Sequence, residues 1–470
     1  MAKTIFNSSE KSNFILNMTE EKYSKIASVG LLCACFGVSL FTMIPEITLN
    51  RGFYSMSGAG LAISGVICLI LALIAIIKKY VRKIMFPVCA FGAMVLWCVV
   101  SLINSYDINI SLNGYVGRGE GFLAILFYFG FFVTASAIKK EKAFETLVYG
   151  ITGAGIFNSL WSLIQIFTGS FSHYIYASIN TEIDAASGLM QSPLFLAMFL
   201  TICLVTALLG YALSDSKKKR IFFIICSCLY SFVMIFTYSF IGICGLALSL
   251  IMAVTAVIKE KAPKIRLLSV LSVIIPAVLS VLLVNGGIVG NAGNYKLRDG
   301  QILWWADGYM RISACGEPDS KVVDITDTYD VYYTLNKKTI NIIKDRVLTG
   351  TGPDQLVYPQ LYTTADLDIE TSDISDIVSR NKGTFDRVYN EYLYTAATRG
   401  VPSLIALICV LVSVISIGLK KLKKNHSWTK TVFFFASISG ILIFFIGCGS
   451  IGFSPIFWAV AGALCAESDK

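Results

Sequence analysis

Histidine is almost missing from this chain: there are two in 470 residues, His173 and His426. Charge is scarce as well, at 15% of residues. It is absent altogether from twelve apolar runs: 26–44, 57–77, 85–104, 121–138, 147–168, 190–213, 221–238, 240–258, 267–286, 401–419, 431–448 and 454–466. That distribution excludes a soluble globular protein, in which about a quarter of residues are charged. A helix of about 20 apolar residues crosses a bilayer. The runs therefore predict an all-α polytopic membrane protein of about twelve transmembrane helices, the last shortened by Pro455. Secondary transporters usually place ionisable groups or broken helices at the midplane. The runs have no ionisable residue and no two-fold repeat is visible, which weakens a transporter reading. Twelve of the thirteen cysteines lie in or at the ends of the runs, where a small polarizable side chain packs well. Cys315 alone sits outside them and has no partner for a disulfide in its own loop. No metal-ligand spacing occurs, and no metal or cofactor is expected.

The charges that remain are lopsided. One set of connections carries Lys78, Lys79, Arg82 and Lys83, then Lys139, Lys140 and Lys142, then Lys217–Arg220, then Lys259–Arg266, then Lys420–Lys430. The alternate short connections carry only Arg51 and Arg118. The positive-inside rule places the first set in the cytoplasm, with both termini. The net charge of +9 is then topology and does not argue for nucleic acid. No small-residue cleavage site follows the first run, so no removable signal peptide is expected. The expected organisation is a cytoplasmic tail (1–25), nine helices (26–286), an extracytoplasmic loop domain (287–388), a juxtamembrane helix with helices ten to twelve (389–466), and a short tail (467–470).

The loop of about 100 residues between the ninth and tenth helices is where chemistry has room. Alternation over 321–326 and 331–334 predicts short strands, giving the loop mixed α/β character. Residues 339–347 have helical spacing, with Thr339 as N-cap. Gly350-Thr351-Gly352-Pro353-Asp354 stops that helix. A second helical pattern takes in Phe385, Val388, Tyr389, Tyr392, Leu393 and Ala396 and runs to Gly400.

Three stretches of this chain resemble the O-antigen ligase and Wzy-type polymerase superfamily. They are Gly117-Arg118-Gly119-Glu120-Gly121-Phe122; Leu348-Thr349-Gly350-Thr351-Gly352-Pro353-Asp354 with Tyr358-Pro359-Gln360; and Phe385-Asp386-Arg387-Val388-Tyr389-Asn390-Glu391-Tyr392-Leu393 with Gly400-Val401-Pro402. The layout, with one large outer loop after the ninth helix, is similar too. The resemblance implies transfer of an oligosaccharide from an undecaprenyl diphosphate carrier to a glycan or cell-surface acceptor, at the outer face of a bacterial plasma membrane. A lipid diphosphate leaving group calls for cations to offset its charge. Arg118, beside Glu120 and between glycines that allow close approach, would hold the diphosphate. Arg298 or Arg387 would be a second cation. Tyr389, Asn390 and Glu391 would orient the acceptor, with Glu391 or Asp354 as the carboxylate base. An Arg118–Glu120 structural pair and an aromatic belt at Tyr389, Tyr392 and Tyr394 are the bland alternatives.

The chain departs from that family in places. Its leading catalytic histidine is replaced by Tyr389, a poor base near neutral pH. Ser239-Phe240 stands where relatives have Ser-Arg. The family's loop Arg and Trp fall on Tyr332 and Asn336, or with a gap on Arg298 and Trp304. A catalytically inactive, glycan-binding relative therefore stands as a second reading.

Overall fold

The structure is a computed structural model, and it describes residues 18–49, 54–115, 118–170, 173–178, 181–261, 263, 269–285, 301–306, 309–314, 323–324, 329–356, 387–424 and 427–467. In chain order the helices are α1 (Glu20–Leu49), α2 (Tyr54–Ile77), α3 (Met85–Ser101), α4 (Ile108–Asn113), α5 (Phe122–Ser136), α6 (Glu141–Thr168) and α7 (Pro193–Leu213). They continue with α8 (Lys217–Ile235), α9 (Phe240–Lys259), α10 (Leu271–Asn285), α11 (Tyr329–Asp345), α12 (Glu391–Lys424), α13 (Trp428–Ile443) and α14 (Ser454–Cys465). Among the described residues, each of the twelve apolar runs falls largely on a helix. Seven helices among these residues are long and apolar enough to cross a membrane, α7 and α9 among them; α5, α10, α13 and α14 are shorter apolar helices. The chain is a multi-pass helical membrane protein by this measure. Its exterior agrees: Ile63, Ile70, Leu96, Ile275 and Leu282 are all more than half exposed, an apolar surface that water would not tolerate at this extent.

Helix packing follows from side-chain size. α7 is apolar on every face and nearly all of its side chains are buried, enclosed by α6, α8, α9 and α13. Small residues let backbones approach where lipid offers no hydrophobic drive between helices. A Cβ on Gly60 of α2 would lie 2.3 Å from the Gly37 carbonyl oxygen of α1, and one on Gly462 of α14 would lie 2.2 Å from the Phe132 carbonyl oxygen of α5. At the lysine-rich end, two cations close the C-terminus of α14. Lys430 Nζ donates to the carbonyls of Ala463 (2.7 Å) and Ala466 (2.8 Å), and Lys421 Nζ donates to Leu464 (3.1 Å) and Cys465 (2.5 Å). Cations stabilise a helix C-terminus through its exposed carbonyls.

Short strands lie outside the bundle. β1 (His173–Ser178) pairs antiparallel with β2 (Thr181–Ala185); β3 (Gln301–Ala306), β4 (Tyr309–Ala314) and β5 (Val323–Asp324) form an antiparallel sheet. Of the strand expected at 321–326, only Val323–Asp324 is described, as a strand. The second expected strand, Val331–Thr334, is instead helical and belongs to α11. Thr339 is not an N-cap: it lies inside α11 and returns its hydroxyl to the Leu335 carbonyl at 2.7 Å. The helical pattern expected from Phe385 begins only at Glu391, with residues 387–390 non-helical. Asn390 supplies the reason, because its Oδ1 accepts from the Leu393 N–H at 3.0 Å, a side-chain cap on the third helical residue.

Candidate functional site

Four segments distant in sequence meet at the helix ends opposite the lysine-rich connections: 101–121, 347–356, 387–400 and 444–454. The break in α12 organises them. Gly400 sits at φ 80° and ψ 161°, between a short helix (391–399) and the long one (401–424). The turn after α11 is bonded across this break. Val401 N–H donates to Val347 O (2.8 Å), Thr351 N–H to Ala397 O (2.9 Å) and Gly352 N–H to Thr398 O (3.0 Å). α3 ties in as well: Ser101 Oγ donates to Thr349 O (2.5 Å) and Trp97 Nε1 to Leu348 O (2.8 Å). Gln355 Oε1 accepts from the N–H groups of Tyr106 (2.6 Å) and Asp107 (3.1 Å), fastening the turn to the 101–121 segment.

A buried ion network sits within this frame. Asp354 Oδ2 accepts from the N–H groups of Tyr115 (2.7 Å) and Glu120 (3.2 Å); its Oδ1 accepts from the Tyr394 hydroxyl (2.6 Å) and from Arg387 (3.4 Å). Arg387 also donates to the Gly449 carbonyl at 2.6 Å, while its Nε has no partner among the described residues. Glu391 Oε1 accepts from Arg399 (3.0 Å) and Thr395 (3.1 Å), and Oε2 accepts from the Gly449 N–H (2.7 Å). The Glu391 N–H in turn donates to the carbonyls of Phe444 (2.9 Å) and Gly447 (3.0 Å). Glu120 Oε1 accepts a short hydrogen bond from the Tyr128 hydroxyl of α5. Arg118 and Arg387 each lie 5.7 Å from the centre of the Phe195 ring, at the start of α7. A guanidinium within about 6 Å of a ring face is attracted by its quadrupole.

Glu120, Asp354, Arg387, Glu391 and Arg399 are all buried, whereas Arg118 is half-buried. Three carboxyl groups thus face two fully buried guanidinium groups. Burial pushes the Glu120 carboxyl up to about 7, against the pull of Arg387. Burial likewise raises the Cys448 thiol beside Arg387 to about 12, which leaves it an inert thiol.

Of the expected site residues, the structure brings Arg118, Glu120, Asp354, Arg387 and Glu391 together. Among the described residues, Arg387–Asp354 and Arg399–Glu391 are ion-paired here. Asn390 caps α12 and donates to Phe445 O at 3.2 Å. Tyr389 packs its ring against the apolar core. Arg387 and Tyr389 do not share a helix, since helical structure starts after both. Arg298, Gly117, Cys315, Tyr358–Gln360, Phe385 and Asp386, and His426, lie outside the described residues. His173 is on β1, as a backbone position only.

The fourth segment is not legible in the sequence: residues 431–448 read as one span, but α13 ends at Ile443 and 444–453 is a turn supplying both bonds of Gly449. The glycines of Gly447-Cys448-Gly449-Ser450-Ile451-Gly452 were the available signal. Tyr128, Tyr394 and Arg399 were likewise hidden within apolar or aromatic patterns. Neither a family model nor a curated protein matches the chain.

Proposed function

We propose that this chain transfers or polymerises oligosaccharide carried on undecaprenyl diphosphate at the outer face of a bacterial plasma membrane. In this reading all twelve apolar helices cross the bilayer, the lysine-rich connections and both termini are cytoplasmic, and residues 287–388 form an outer cap of mixed structure. The observation that carries the proposal is the meeting of the three resembled stretches in one buried ion network at a single end of the bundle. Independent surface motifs would have no reason to meet. The helix ends there lie at head-group depth, where a carrier's diphosphate sits while its tail stays in lipid. Arg118 is the half-buried cation of the cluster and takes the diphosphate, with Arg387 also against the Phe195 ring. A planar guanidinium suits a diphosphate because its donors match two phosphate oxygens at once.

Mass spectrometry of lipid-linked glycans from host cells with and without the protein tests the reading. Accumulated single repeat units on the carrier mean a polymerase. Accumulated long chains mean a ligase. Unchanged pools with intact surface glycan refute both. Within an active protein, Arg118→Ala abolishes transfer while the chain still reaches the membrane; undiminished transfer would remove the diphosphate role. A second reading, a glycan-binding relative without catalysis, is favoured by one observation: Tyr389, at the position of the family's histidine, packs into the apolar core.

A further inference from the structure

We propose that Glu120 is the general base of this site, accepting the proton of the acceptor hydroxyl on its Oε2. The inference rests on the glycan-transfer reading, and it takes over a role that the resembled family gives to a histidine this chain lacks.

The three buried carboxylates differ in their free lone pairs. A general base must offer an unengaged oxygen to the reacting hydroxyl and hold a proton near the working pH. Asp354 fails the first condition, because both of its oxygens are taken, by two backbone N–H groups, Tyr394 and Arg387. Glu391 fails it in the same way, being held by Arg399, Thr395 and the Gly449 N–H. Glu120 has one oxygen held by Tyr128, and among the described residues no hydrogen-bond donor reaches the other. That free Oε2 faces Gly449, at 3.4 Å from where a Cβ on that residue would stand. Arg118, two residues earlier in the same loop, is half-buried.

The charged neighbours of Glu120 fit the second condition. They are Tyr128 on α5, Asp354 of the turn after α11, and Arg387 and Glu391 at the entry to α12. The two buried arginines are each committed to another carboxylate. Glu120 is the acid left over, and burial holds its proton up to about pH 7. A carboxylate in that state accepts a proton at neutral pH far better than an exposed one.

In the transfer step the acceptor oxygen forms a bond to the anomeric carbon of the donor sugar. The bond from that carbon to the diphosphate oxygen breaks, and its electron pair leaves with the lipid diphosphate. The hydroxyl proton passes to Glu120 Oε2 and from there to water.

The test uses membranes carrying the full chain, supplied with lipid-linked glycan extracted from host cells lacking it. Release of lipid diphosphate is followed by mass spectrometry across the neutral range. The wild-type rate rises with pH through about 7 and then levels. Glu120→Gln lowers the rate at least about 100-fold and leaves binding of the extracted donor unchanged. Tyr128→Phe moves the rising limb to higher pH, because losing a donor to the ionised carboxylate raises its affinity for a proton. A Glu120→Gln protein with the wild-type rate, or a Tyr128→Phe limb that does not move, overturns the assignment. If Glu120→Gln does not accumulate, the Tyr128→Phe profile decides. A wild-type chain that releases no lipid diphosphate refutes the transfer reading itself, and the base falls with it.

Discussion

Gly400→Ala probes the frame that holds the site. At φ 80° and ψ 161°, Gly400 occupies a backbone region essentially closed to residues with a Cβ, costing on the order of 1–3 kcal/mol. The added Cβ would also stand 1.9 Å from the Leu348 carbonyl oxygen and 2.5 Å from its carbon, both backbone atoms with little freedom to yield. Relief requires the turn after α11 to move off α12. That loosens the bonds of Val401 to Val347, Thr351 to Ala397 and Gly352 to Thr398, at roughly 1 kcal/mol each. The total loss is about 4 kcal/mol or more, summed from strain and bonds. Gly92→Ala in α3 is the matched control, since nothing lies within 4 Å of its added Cβ; there alanine favours the helix by about 0.5–1 kcal/mol. Thermal unfolding of the detergent-purified protein reads the difference. Gly400→Ala melts about 4 °C or more below wild type and Gly92→Ala within about 2 °C of it. Equal midpoints for the two variants would show that the break in α12 is not held by its contacts, and the account of how the site is assembled would fail.

Arg387→Met leaves Asp354 buried without its cation. It should cost about 3–5 kcal/mol, read as lost accumulation in the membrane. Adding Asp354→Asn to it should recover part of that loss; no recovery would mean that the pair is not the source of the cost. Gln355→Ala removes the buried acceptor for the N–H groups of Tyr106 and Asp107 in a half-exposed turn. It should lower the melting midpoint by the equivalent of about 1–2 kcal/mol, and an unchanged midpoint would show that water replaces the side chain.

The helices were legible because lipid burial needs only a long run without charge, a property of composition that no tertiary contact can supply or remove. The loop was legible only in part. Val331-Tyr332-Tyr333-Thr334 has the β-branched and aromatic residues of a strand, yet it lies in α11, which packs on α12; local propensity yields to such packing. Thr339 carries an N-cap's side chain in mid-helix, and nothing local distinguishes the two uses of its hydroxyl. Gly350, Gly352 and Gly400 were readable as breakers, but not as parts of one latch.

By itself the sequence determined where the chain is helical, which connections carry the positive charge, and which polar residues were candidates, Arg118, Glu120, Asp354, Arg387 and Glu391 among them. Only the tertiary structure decided how the three acids differ. Asp354 is held by donors 33 residues away or more, and Glu391 by Thr395 and Arg399 of its own helix and by the Gly449 N–H, while no donor among the described residues reaches one oxygen of Glu120. The physical reason is that a buried carboxylate's role is set by the donors around it, and those donors come from helix ends that meet only when the bundle closes.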